Sequence, residues 1–228
     1  MKGEKMAVTL KTVVLDSEKC IGCITCMRRC PTEAIRIENG KAKILYDKCI
    51  NCGECVRSCK GGAKRPVYDS FDLVASYKYK IALPSPSLFG QFNNLDDPNY
   101  VIEGLLALGF DEVFEVGLAA ELVTDCTKKL MENKDLARPV ISTACPAVAE
   151  LILLKFHELA DHMLPVYAPA KIAAKLAKKQ ALEKGVPADD IGIFFISPCP
   201  AKVYSLHKEE VSETKYISGV LSQSDIYF

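Results

Sequence analysis

The chain of 228 residues, 49% hydrophobic and 25% charged, is long enough for one or two globular domains with a sizeable core. Its 29 Lys and Arg balance its 29 Asp and Glu, which excludes an overall basic footprint for nucleic acid and an acidic tail. The opening MKGEKMAVTLKTVVLD has no signal-peptide apolar core, and no run approaches the ~18–20 apolar residues of a membrane span. The expectation is a cytoplasmic chain with neither membrane nor nucleic acid as partner.

Eight of the eleven cysteines lie between residues 20 and 59, in two segments that align: DSEKCIGCITCMRRCP (16–31) and YDKCINCGECVRSCK (46–60). Each carries CxxCxxCxxxC, and Cys49 follows Cys20 by 29 positions. With no export signal, such spacing favours metal over disulfide. Three thiols three apart on a tightly turned loop can be aimed at three irons of one cubane. Zinc also takes four thiolates, but its sites usually pair CxxC units across longer gaps. Gly22 and Gly53 suit the turns, and AIRIENGKAKILYD between the repeats reads as a hairpin turning on Asn39-Gly40.

These residues resemble the bacterial two-cluster [4Fe-4S] ferredoxins, over roughly residues 8–66. The resemblance implies two [4Fe-4S] clusters with crossed ligation: Cys20, Cys23, Cys26 and Cys59 on one, Cys49, Cys52, Cys55 and Cys30 on the other. One departure is Lys60, where the family usually has proline after the fourth cysteine. Two oxidised cubanes would move the formal charge from 0 to about −4, which the cations Arg28, Arg29, Arg57, Lys60, Lys64 and Arg65 could offset or use to steer an acidic partner. The plainer reading of those cations is a solvated face.

The expected domains are a ferredoxin-like domain over 1–66, a connecting helix over 67–78 and an α/β domain over 79–228. The pattern predicts strand 79–83, helix 98–108, strand 112–116, helix 119–132, strand 139–142, helices 146–160 and 169–184, and strand 191–196. Short apolar strands between helices imply an open, mainly parallel sheet. IALPSPS (81–87), VISTACPA (140–147) and FFISPCPA (194–201) end alike, and two of them deliver a cysteine, Cys145 or Cys199, to the strand end where α/β sheets bind ligands.

STACP (142–146) and SPCPAK (197–202) resemble the TSCCP and MPCxxK motifs of the [FeFe] hydrogenases, and GLLALGFDEVFEVGLAAELVTD (104–125) resembles that family's approach to its first motif. The resemblance covers about residues 79–228. It implies that Cys145 and Cys199 are two of four thiolates on the cubane half of an H-cluster, and that the Lys202 ammonium hydrogen-bonds a cyanide of its di-iron half.

Departures bear on activity. Ala144 stands where active members carry the proton-donating cysteine, and Cys126 and Lys129 align with acidic proton-path residues. Ser197 replaces the methionine of the second motif, and Ala170, beside Pro169, replaces a glutamine. The last cysteine pair has no counterpart. YISGVLSQSDIYF reads as a strand and the start of a helix capped by Ser222 or Ser224, so the chain is expected to be truncated, with an H-cluster only in a full-length form. The alanine and SPCPAK resemble the sensory type, whose signalling module would lie beyond residue 228.

Taken singly, Cys199 could be a small buried hydrophobe and Lys202 a solvated helix lysine. Cys126 reads as core, His157 and His162 as structural, and KIAAKLAKKQALEKG as an amphipathic helix with a solvent-facing lysine side. No glycine-rich phosphate loop or nucleophile elbow occurs. Two functions follow: an iron–sulfur protein whose ferredoxin clusters exchange electrons between a redox partner and a slow or sensory hydrogenase domain, or a non-catalytic electron carrier with an α/β docking or signalling scaffold.

Overall fold

The computed structural model describes residues 11–93, 95–208 and 216–227. Among these, one compact unit comprises 11–67 with 199–208, and a second comprises 68–198 with 216–227.

In the first unit the 29-residue repeat becomes a repeated backbone. β1 (Val13–Leu15), α1 (Thr25–Arg29) and β2 (Ile35–Glu38) recur, 29 positions on, as β3 (Lys41–Ile44), α2 (Glu54–Arg57) and β4 (Lys64–Pro66). The halves interlock, because β1 pairs antiparallel with β4 and β2 with β3. The β2–β3 hairpin turns on Asn39 and Gly40, at φ 50° and 72°, the left-handed pair that a two-residue turn needs. Val13, Ala34, Ile35, Ala42 and Ala63 are buried between the halves.

The second unit begins with a 3-10 turn, Phe71–Ser76, capped by the Ser70 hydroxyl, where residues 67–78 predict a longer connecting helix. β5 (Tyr79–Pro84) follows, then α3 (Pro86–Phe89), α4 (Asn99–Ala107), β6 (Glu112–Val113), α5 (Val116–Met131), α6 (Pro146–Lys155), α7 (Pro169–Glu183) and β7 (Ile191–Ile196). α8 (Pro200–Lys208) packs with the first unit, where the Thr12 hydroxyl donates to the Pro200 carbonyl. β8 (Gly219–Leu221) and α9 (Gln223–Tyr227) complete the second unit, with Ser222 capping α9 through the Ser224 N–H.

The sheet runs β6-β5-β7-β8 and every pairing in it is parallel. β7 is buried along its whole length, as a central strand covered on both faces must be. Phe194 anchors the core, edge-on to Tyr77 at 5.6 Å and to Phe110 at 6.2 Å. α7 turns Ala170, Ala173, Ala174, Ala177 and Ala181 inward at helical spacing, so small residues let it lie close.

Three further sequence expectations change. Residues 139–142 form no strand of the sheet: Ile141 makes one isolated bridge to Met163, since Pro139 has no N–H to extend a ladder. The helix expected over 146–160 ends at Lys155, because Phe156 leaves helical geometry at φ −133°, ψ 54°, and a 3-10 turn runs from His157 to His162. Cys126 is exposed rather than core, because full burial on α5 is confined to Val116 and Ala119 in its first turn, and Cys126, seven residues past Ala119 on the same side, is left uncovered.

Candidate iron–sulfur sites

The loops that carry the cysteines need left-handed backbone at matched positions. Gly22 and Asn51 have φ 69° and 51°, Ile24 and Gly53 have 56° and 77°, and Glu33 and Gly62 have 54° and 63°; each pair is 29 apart. Glycine supplies one member of each pair at little steric cost. The other member, an isoleucine in one case, is held there by the surrounding fold.

These turns sort the thiols. Cys20, Cys23, Cys26 and Cys59 line one cavity, with Gly22, Ile24 and Lys64. Cys30, Cys49, Cys52 and Cys55 line another, with Thr32, Asn51 and Gly53. Among the described residues no three His, Cys, Asp or Glu side chains converge as a single metal ion requires.

The sulfurs sit among fixed donors. The Ala42 N–H points at Cys20 Sγ at 3.4 Å and the Ala34 N–H at Cys30 Sγ at 3.2 Å. The Ala42 and Gly22 backbone N–H groups hold the Cys20 thiol below its ordinary pKa, and the Thr25 N–H and hydroxyl do so for Cys23. Burial pushes Cys26, Cys49 and Cys52 up, and Cys55 up to about 12. Cys49, Cys52 and Cys55 therefore sit in the less polar surroundings.

Lys64 differs from the other cations expected on a solvated face. Arg28, Arg29, Arg57, Lys60 and Arg65 are exposed, and Arg29 and Arg57 both pair with Glu54, at 3.2 and 2.7 Å. Lys64 is 3% exposed, and its ammonium has no hydrogen-bond partner among the described residues. Such burial is unfavourable for a lone charge and fits a site made for an anionic group. The cavities, the N–H donors and this cation together suit thiolate-bound cubanes.

The hydrogenase-like residues are placed less tightly. Cys145 is exposed at the N-terminus of α6, beside the exposed Ala144. Cys199 is half-buried just before α8, and its carbonyl accepts the Lys202 N–H at 3.1 Å. Cys145 lies in the second unit, Cys199 and Lys202 in the first. Cys126 and Lys129 are exposed on α5, Ala170 is buried in the first turn of α7, and Ser197 is buried with its N–H on the Leu221 carbonyl. His162 Nδ1 lies 2.9 Å from the Pro139 carbonyl, a structural contact. Sequence reading missed a polar cluster at the end of β5, where the Gln223 amide donates to the hydroxyls of Ser85 and Ser87 at 2.9 and 2.8 Å.

Residues 78–227 match the iron-only hydrogenase large subunit, C-terminal domain, and residues 12–60 match the 4Fe-4S dicluster domain. The chain belongs to the iron-only hydrogenase large subunit family, and its cofactors are [4Fe-4S] clusters.

Among relatives, the chain is 26% identical over 227 residues to the periplasmic [Fe] hydrogenase large subunit of Nitratidesulfovibrio vulgaris, covering 90% of this chain and 53% of that protein. Ferredoxin-2 of Desulfomicrobium norvegicum is 52% identical over 31 residues, 14% of this chain and 52% of its own length. A solved [FeFe]-hydrogenase from Chlamydomonas reinhardtii superposes with a TM-score of 0.54 at 21% identity, over 64% of this chain and 40% of that one. The chain thus spans about half the length of the hydrogenase relative it matches over most of its residues. Among the described residues no helix is long and apolar enough to cross a membrane.

Proposed function

We propose that this chain is the electron-relay portion of an iron-only hydrogenase of slow or sensory type. Two [4Fe-4S] clusters, one held by Cys20, Cys23, Cys26 and Cys59 and one by Cys49, Cys52, Cys55 and Cys30, exchange electrons between a redox protein and a hydrogenase-type centre. The observation that carries this is the sorting of eight thiols into two sets of four, each around its own cavity, in the crossed combination that the resemblance to two-cluster ferredoxins implies.

Within the hydrogenase-like stretch 78–227, Cys145 and Cys199 supply two of the four thiolates that the cubane half of an H-cluster takes, and Lys202 is the donor to a cyanide ligand. That group, when bound, supplies the hydrogen chemistry. Ala144 carries only a methyl group beside Cys145 and cannot pass a proton, which is the ground for slow turnover or sensing. Cysteines spaced for metal rather than for disulfides support the cytoplasm as the compartment.

Iron, acid-labile sulfide and infrared spectra of anaerobically purified protein test the reading. The relay is expected to hold about eight irons and eight sulfides. A hydrogenase-type centre adds iron beyond eight and gives infrared bands from CO and cyanide. About eight irons without those bands favour a plain electron carrier with an α/β scaffold, the reading that Ala144 independently supports. Zinc in place of iron would sink both.

A further inference from the structure

The internal repeat identifies what is unusual about Lys64. Ile35 opens β2 and is 2% exposed; 29 positions on, Lys64 opens β4 and is 3% exposed. The sequences around them correspond, Cys30-Pro-Thr-Glu-Ala-Ile35 against Cys59-Lys-Gly-Gly-Ala-Lys64. A buried cation therefore occupies the place that a buried aliphatic side chain takes in the sister half. Packing alone would be met by isoleucine in both halves, and a lone ammonium in the interior opposes folding unless an anion faces it.

Lys64 lines the cavity of Cys20, Cys23, Cys26 and Cys59 and not the other. We propose that Lys64 is a potential-setting residue, its ammonium fixed against the first cluster so that this cluster accepts an electron more readily than the second. The inference rests on the two-cluster reading above.

The sign follows from charge. Four thiolates around a 2+ core carry a net charge of about −2, and one-electron reduction takes the core to 1+ and the net charge to about −3. A fixed positive charge stabilises the more negative state and raises the potential. Burial keeps water and salt from screening it. The same charge reaches Cys20 and Cys26 and, in the other set, Cys49 and Cys55, so both clusters feel it; the asymmetry rests on Lys64 lining the first cavity and not the second. By this asymmetry an electron entering the relay rests on the first cluster.

The test is an EPR-monitored titration with dithionite of the anaerobic two-cluster protein, its Lys64→Met and Lys64→Arg variants, and Lys64→Ile, which copies the sister position and guards against a Met variant that fails to fold. Lys64→Met and Lys64→Ile are expected to lower one midpoint by at least a tenfold change in the reduction equilibrium, 59 mV for one electron. Lys64→Arg should leave both midpoints near their original values. Adding Lys64→Met to a Cys49→Ser background, which retains only the first cluster, assigns the shift. Unmoved midpoints with iron still near eight would overturn the inference, as would a larger shift on the second cluster. Iron far below eight in the unsubstituted protein overturns the two-cluster reading instead.

Discussion

Ile24 carries a β-branched side chain at φ 56°, where its repeat partner Gly53 has φ 77°. An L-residue held in this region gives up roughly 1–2 kcal/mol. Ile24→Gly is therefore expected to stabilise the first unit by up to about 1 kcal/mol, part of the relief going to glycine's greater chain entropy. Gly22→Ala should do the opposite, because at φ 69° its new methyl would meet the Gly40 carbonyl oxygen; a loss of about 1–3 kcal/mol is expected. Denaturant midpoints followed by the visible absorbance of the clusters check both. Equal midpoints for Gly22→Ala and the parent would mean that the loop is not held in this conformation. Glycines at 22 and 53 were legible as turn residues, but the strain at Ile24 was not, since nothing in an isoleucine announces a left-handed φ. Lys64 was half legible. Its neighbours Lys60 and Arg65 make KGGAKR look solvated, while the repeat offset, applied one residue beyond the last cysteine's alanine, sets it opposite Ile35.

At the scale of elements, Glu112 joins three pieces of the second unit. Its carboxylate on β6 accepts from the Tyr79 hydroxyl of β5 at 2.8 Å and from the Lys184 ammonium, just past α7, at 2.7 Å. Burial, then the hydrogen bond to Glu112, raises the Tyr79 pKa above 10.0, and the bond to Glu112 raises Lys184 above 10.5. In both cases the unfolded chain loses its proton first as pH rises, so stability from this cluster is complete below about pH 10 and declines through the folded values. Glu112→Gln should flatten that alkaline decline relative to the parent in denaturation curves between neutral pH and pH 11. Parallel curves for the two proteins would remove Glu112 as its source. The parallel sheet and its helices were legible from alternating apolar strands and helical stripes. The failures are local: Pro139 cancels a strand that the apolar run suggested, and Cys126 shares the side of Ala119 on α5 yet lies past the first turn, where burial on that helix ends. Both answers depend on neighbours that sequence spacing does not identify.

Across the whole molecule, the proposed crossed ligand sets would tie distant parts of the chain to one another and to its net charge. The apo chain has a formal charge of 0. Each oxidised cluster adds about −2, so forms with none, one or two clusters carry about 0, −2 and −4. Isoelectric focusing under argon should resolve three species, the fully loaded one most acidic. Cys59→Ser and Cys20→Ser, far apart in sequence but on one cavity, should both give the −2 species with about four irons and the same remaining EPR signal. Cys30→Ser and Cys49→Ser should give the other signal at the same charge. Were ligation local to each CxxCxxCxxxC segment, Cys59→Ser would instead match Cys49→Ser, and Cys30→Ser would match Cys20→Ser. The pairing of signals thus decides between crossed and local ligation, independently of whether the second domain turns over hydrogen.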